Sequence, residues 1–123
     1  MKTILAIAAL AALATPALAQ APAAPRQCFA QMQMGHTKAP DDSTLNIEVG
    51  RDIWQLKMAA PCNNLSFNTS GIILNMHSGT TSFCGPIDFD IATTGPGGQK
   101  CFPQSLRKLS PAEAEAIPRK DRP

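Results

Sequence analysis

With 123 residues, 11 Lys and Arg against 9 Asp and Glu and a formal net charge of +2, the chain lacks the basic excess of a nucleic-acid binder and the polybasic run of an anionic-membrane protein. It is long enough for one domain and too short for two. With five Phe, one Trp and no Tyr the core is small, so its four cysteines weigh heavily.

Lys2 followed by the uncharged run Ile4 to Ala14 predicts a signal peptide. The run fits a signal-peptide core of about 7 to 15 residues and falls short of the roughly 20 that a membrane-spanning helix needs. Pro16 ends it, and Ala17-Leu18-Ala19 offers small side chains to a signal peptidase, so cleavage is expected between Ala19 and Gln20. Cys28 follows Arg26 and Gln27, which are too large and polar to precede a lipidated cysteine. A periplasmic or secreted chain without lipid anchor or transmembrane segment is therefore expected. Residues 20–27 read as a flexible leader, 28–117 as a single β-rich domain and 118–123 as a loose tail.

Period-two alternation runs through the domain, the mark of half-buried strands. Cys28, Ala30, Met32 and Met34 share one face of a first segment, with Phe29 an exception on the polar side. Leu45, Ile47 and Val49 alternate with polar residues, Gly50-Arg51 makes a tight turn, and Trp54, Leu56 and Met58 alternate in return, which predicts a β-hairpin. Pro61 ends that strand before Cys62, and residues 63–70 read as turns. Ile72, Leu74 and Met76 form another strand face; His77-Ser78-Gly79 turns the chain and Thr81 to Cys84 is expected to return along it. Ile87, Phe89 and Ile91 alternate with Asp88 and Asp90, which places both aspartates on a polar face. Gly95-Pro96-Gly97-Gly98 marks a loop before a last short strand at Lys100 to Pro103. Ser110-Pro111-Ala112-Glu113 carries an N-cap serine, a first-turn proline and a capping-box glutamate, so a short helix is expected to about Ile117. The predicted fold is mainly β: a strongly twisted antiparallel sheet, stapled by disulfides, closing into a small barrel or sandwich with a short C-terminal helix.

Cys28, Cys62, Cys84 and Cys101 are even in number and none form Cys-x-x-Cys, which favours disulfides over zinc in an exported chain. Three connectivities are open, and the nested one, Cys28 with Cys101 and Cys62 with Cys84, is preferred because it ties the first strand to the last. Each bridge is worth roughly 3 to 4.5 kcal/mol in the chain-entropy account, so reduction is expected to come close to unfolding the domain.

Candidate chemistry is sparse. Met32, Met34 and His36 offer thioether and imidazole ligands of the kind copper takes, although both methionines also fit a core face. Asp41-Asp42 fits a turn and Asp88 and Asp90 the polar face of a strand, and a hydrolytic site would need a concave pocket around Asp88, Asp90 or His77. No Gly-x-Ser-x-Gly elbow occurs, and Gly95 to Gly98 lacks the lysine of a phosphate loop. Asn64-Leu65-Ser66 and Asn68-Thr69-Ser70 match the glycosylation sequon, with no modification expected. The basic residues Arg107, Lys108, Arg119, Lys120 and Arg122 read as a solvated end.

Cys28-Phe29, Asp42-Ser43-Thr44-Leu45, the strand around Trp54, Pro61-Cys62-Asn63-Asn64-Leu65, Phe83-Cys84 with Asp88, Gly98 with Cys101, and the ending Leu109-Ser110-Pro111-Ala112-Glu113 together resemble a family of small exported bacterial proteins classed only as a domain of unknown function. The resemblance implies an envelope location and a compact fold; it supplies no substrate and no site residues. The expected function is a non-enzymatic interaction or structural module of the cell envelope, acting through a sheet edge or the basic end on an envelope partner, with no catalytic residue and no cofactor. The alternatives are a periplasmic copper-binding protein using Met32, Met34 and His36, and a hydrolase of unknown type.

Overall fold

The computed structural model describes residues 27–67, 71–77, 79 and 81–123. The expected signal peptide, the cleavage point between Ala19 and Gln20, the leader up to residue 26 and the sequon at Asn68 lie outside the described residues. Among those described, the strands are β1 (Phe29–Ala30), β2 (Met34–Asp41), β3 (Thr44–Val49), β4 (Asp52–Met58), β5 (Ile72–Met76), β6 (Ser82–Phe83), β7 (Phe89–Thr93), β8 (Lys100–Cys101) and β9 (Pro103–Lys108), followed by the helix α1 (Pro111–Ala116). They form three antiparallel sheets, ordered β2-β3-β4-β9, β5-β7-β8 and β1-β6. None of these strand orders closes on itself as a barrel would.

The hairpin of β3 and β4 forms where the alternation places it, with Leu45 opposite Leu56 and Ile47 opposite Trp54. Gly50, at φ 61°, takes the left-handed conformation that a two-residue turn needs and that a side chain would strain. β3 is an interior strand covered on both faces, so the polar positions Thr44 and Asn46 are buried as well. The Asn46 amide donates to the Asp121 carbonyl at 3.2 Å, and Lys57 donates to the Thr44 hydroxyl at 2.8 Å. The end expected to be a loose tail thus turns through Arg119–Asp121 and lies over the sheet, tied further by Arg122 donating to the Ile117 carbonyl at 2.8 Å. Ser110 caps α1 as predicted, accepting from the Glu113 amide at 3.2 Å.

Period-two reading fails wherever a short 3-10 turn resets the parity. β1 lasts two residues before the turn Gln31–Gln33, which puts Phe29 in the core and leaves Met32 96% exposed, the reverse of the expected facing. The turn Pro86–Asp88 does the same before β7 and turns Ile87 out to solvent, against the expectation that it packs with Phe89 and Ile91. β6 does not return along β5. β5 pairs instead with β7, setting Met76 opposite Phe89 and Leu74 opposite Ile91, while β6 pairs with β1, setting Phe83 opposite Phe29. An unanticipated strand, β9, pairs with β4 along the edge; its proline falls at the first position, where no ladder donor is needed. Four aromatic rings join the sheets at the centre. Phe29 lies 4.8 Å from Trp54 and 5.0 Å from Phe83, and Phe83 meets Phe89 edge-on at 4.7 Å.

The disulfides are Cys28–Cys84 and Cys62–Cys101, a crossed connectivity that corrects the nested pairing. Strand order explains it. β1 lies against β6, so the cysteines flanking Phe29 and Phe83 are neighbours; the Ala59 amide donates to the Phe102 carbonyl at 3.0 Å, which draws the segment holding Cys62 beside β8. With the partners 56 and 39 positions apart, each loop closure contributes about 4 kcal/mol in the chain-entropy model.

Candidate functional site

The strongest polar constellation is centred on Asp90, which the sequence pattern puts on a solvent-facing side of β7 and which is only 1% exposed. Pairing of β5 with β7 sets Asn75 opposite Asp90, and pairing of β7 with β8 sets Lys100 opposite Ala92 on the same face. Three side chains converge on the carboxylate. The Asn75 amide donates at 2.8 Å, His77 Nε2 lies at 2.9 Å and Lys100 Nζ at 3.0 Å. Burial opposes ionisation of Asp90 more than any other single influence. The hydrogen bonds from His77, Asn75 and Lys100 together outweigh it and hold the carboxyl at about 2.

His77 has an acceptor at each ring nitrogen: the Asp90 carboxylate at Nε2 and the Ile87 carbonyl at Nδ1, 3.0 Å away. An imidazolium satisfies both at once, whereas the neutral ring donates to only one. The Asp90 hydrogen bond, followed by that to Ile87, accordingly raises the His77 pKa. Such a ring is a poor general base, because neither nitrogen has a lone pair aimed at a substrate. The pair has the composition of a catalytic dyad and the wiring of a structural clamp. Asp88, the other acid named for this region, faces away and accepts from the Cys84 and Gly85 amides at 2.8 and 2.9 Å.

The other candidates are dispersed. Met32 projects into solvent and Met34 packs against the core, so the two thioethers lie in different environments. His36 Nδ1 pairs with Glu48 at 3.1 Å, and this contact, with the His36 amide, lowers the Glu48 pKa. Among the described residues no group of three or more His, Cys, Asp or Glu side chains is placed to hold a metal ion. Asp41 accepts from the Ser43 amide at 2.8 Å. Asp42 accepts from the Ser66 hydroxyl at 2.7 Å and from its amide at 3.1 Å, which lowers its pKa. Both aspartates serve the turn between β2 and β3. The Asn64 amide donates to the Pro96 carbonyl at 2.8 Å and so fixes the Gly95 to Gly98 loop.

Three exposed apolar residues border the Asp90 cluster: Ile73 on β5 opposite Ala92, Phe102 next to β8, and Ile87, whose carbonyl meets the His77 ring. Ile73 is 50% exposed, Ile87 82% and Phe102 59%, and Lys100 Nζ stands 5.7 Å from the Phe102 ring. A depression of about 100 Å³ between Ala59–Pro61 and Gln99–Phe102 is smaller than the roughly 300 to 1,000 Å³ of typical ligand pockets. The basic end is largely engaged: Arg107 pairs with Glu113 at 2.6 Å and Lys108 with Asp52 at 3.0 Å. No described helix is long and apolar enough to cross a membrane. The sequence pattern missed the buried role of Asp90, although Asn75 and His77 share a strand parity and mark a polar stripe that needs a partner. No family model matches the chain, and neither a curated protein nor a solved structure matches it.

Proposed function

We propose that this chain is an exported protein of the cell envelope that works by binding, through the outer face of the β5-β7-β8 sheet. The observation that carries the reading is three exposed apolar residues, Ile73, Ile87 and Phe102, bordering a buried and fully hydrogen-bonded polar centre. Apolar groups held in place by a rigid centre suit contact with a protein or peptide. The edge of β5 adds to this, since no described strand pairs with it on the side away from β7. The His77 amide donates to the Asp88 carbonyl at 2.9 Å, which fixes the phase of the ladder, so the main-chain groups of Ile72, Leu74 and Met76 face away from β7.

Two disulfides fit an oxidising compartment, and the cysteine order and Leu-Ser-Pro-Ala-Glu ending, similar to those of small exported bacterial proteins, point the same way. The test is a photo-reactive residue placed at Ile87 or Phe102 of the full chain in intact cells, with Arg51 in the β3-β4 turn as control. Discrete envelope adducts at the first two positions and none at Arg51 are expected, on a chain whose N-terminus begins at Gln20. Equal labelling at all three positions, or a chain that stays uncut in the cytoplasm, overturns the reading.

A further inference from the structure

The two disulfides occupy different environments. Cys62 and Cys101 are 0% and 5% exposed, and the Gln99 amide lies 3.4 Å from the Cys101 sulfur. Cys28 is exposed and Cys84 half-buried, at the margin of the fold. The second bridge also holds little structure of its own. It fastens β1, whose two residues pair, among the described residues, with the two of β6, and beyond that ladder the Gln31 amide donates to the Thr81 carbonyl at 3.0 Å. What β1 delivers is Phe29, wedged between Trp54 and Phe83.

We infer that Cys28–Cys84 is a reducible latch, a substrate for dithiol reductants, whose opening releases β1 and uncovers the aromatic slot of Trp54 and Phe83 while Cys62–Cys101 keeps the remaining sheets joined. Access decides which sulfur reacts, since exchange requires a thiolate to approach the disulfide. A thiolate of the reductant attacks the exposed Cys28 sulfur, forms a mixed disulfide and expels Cys84 as a thiolate. The second thiol of the reductant then attacks the mixed disulfide and frees Cys28. Two electrons pass from the dithiol to the protein, its two protons end on the cysteines, and the reductant leaves as a disulfide. Opening lifts the loop closure between positions 56 apart and leaves β1 held by the two-residue ladder with β6, the Gln31–Thr81 hydrogen bond and the Phe29 ring. Reoxidation re-seats Phe29.

Trp54, the single tryptophan, reports on the slot because Phe29 covers it. The oxidised full chain is treated with graded dithiothreitol, quenched with iodoacetamide and mapped by mass spectrometry, with Trp54 emission followed in parallel. Cys28 and Cys84 are expected to alkylate on the order of tenfold faster than Cys62 and Cys101, as their access dictates. The Trp54 emission should shift to the red with the first event. Simultaneous opening of both bridges, earlier opening of Cys62–Cys101, or an unchanged Trp54 signal once Cys28 is alkylated overturns the inference. The variant C28S/C84S should retain the strand signal in far-ultraviolet circular dichroism together with the Trp54 emission of the once-reduced chain. Its unfolding would show a structural staple instead of a latch.

Discussion

His36 with Glu48 and His77 with Asp90 are the same chemical pair in two settings, with imidazole nitrogen and carboxylate oxygen 3.1 Å apart in the first and 2.9 Å in the second. The side chains of the first pair are 88% and 39% exposed, those of the second 44% and 2%. Water competes for every hydrogen bond of Glu48 and screens its charge, so the pair on β2 and β3 contributes little to stability. Asp90 is sealed from water and depends on Asn75, His77 and Lys100 for its whole solvation. Burial of the acid, not the identity of the pair, decides how much the contact contributes.

The largest effect should follow from Asp90→Ala, with a loss of about 2 to 3 kcal/mol read as a lower urea midpoint at unchanged slope. That is below the roughly 3 to 5 kcal/mol of a fully buried ion pair, because the surviving His77 and Lys100 still reach solvent.

Acid comes next. A carboxyl lowered from 3.8 to about 2 stabilises the fold above its unfolded value, and that contribution disappears as pH falls through the folded value. About 2 kcal/mol should therefore be lost between roughly pH 4 and pH 2, and Asp90→Ala should remove that part of the acid dependence whereas Glu48→Gln should preserve it.

His77→Gln gives a smaller effect of opposite pH sign. A raised histidine pKa stabilises fully below about 6.5 and fades as pH rises through the folded value. The gap in urea midpoint between wild type and His77→Gln should thus be widest near pH 6 and close toward pH 9. At the bottom of the scale, Glu48→Gln at pH 7 should leave the midpoint within experimental error. If Glu48→Gln costs as much as Asp90→Ala, the contrast between the two pairs is wrong.

Local features were legible without the fold. The β3-β4 hairpin needs only alternation and a glycine turn, and α1 needs only Ser110, Pro111 and Glu113 in order, since each is settled by contacts between near neighbours in the chain. Phe29, Met32 and Ile87 were misplaced because three-residue 3-10 turns shift the parity by an amount no period-two count detects. β9 was missed because an edge strand bearing Pro103, Gln104 and Ser105 has almost no apolar alternation to display.

The sequence by itself determined a small β-rich domain, its β3-β4 hairpin, its capped helix and four cysteines suited to pairing, all from composition and neighbours a few positions apart. Only the tertiary structure decided which cysteines meet, that β5 lies beside β7, and that Asp90 is enclosed. Each of these depends on which strands become neighbours, a choice made by the fit of aromatic and aliphatic side chains across tens of residues. A polar residue on a strand carries no mark of whether water or another side chain will solvate it, and for Asp90 the answer came from His77 and Lys100, 13 and 10 residues away in either direction.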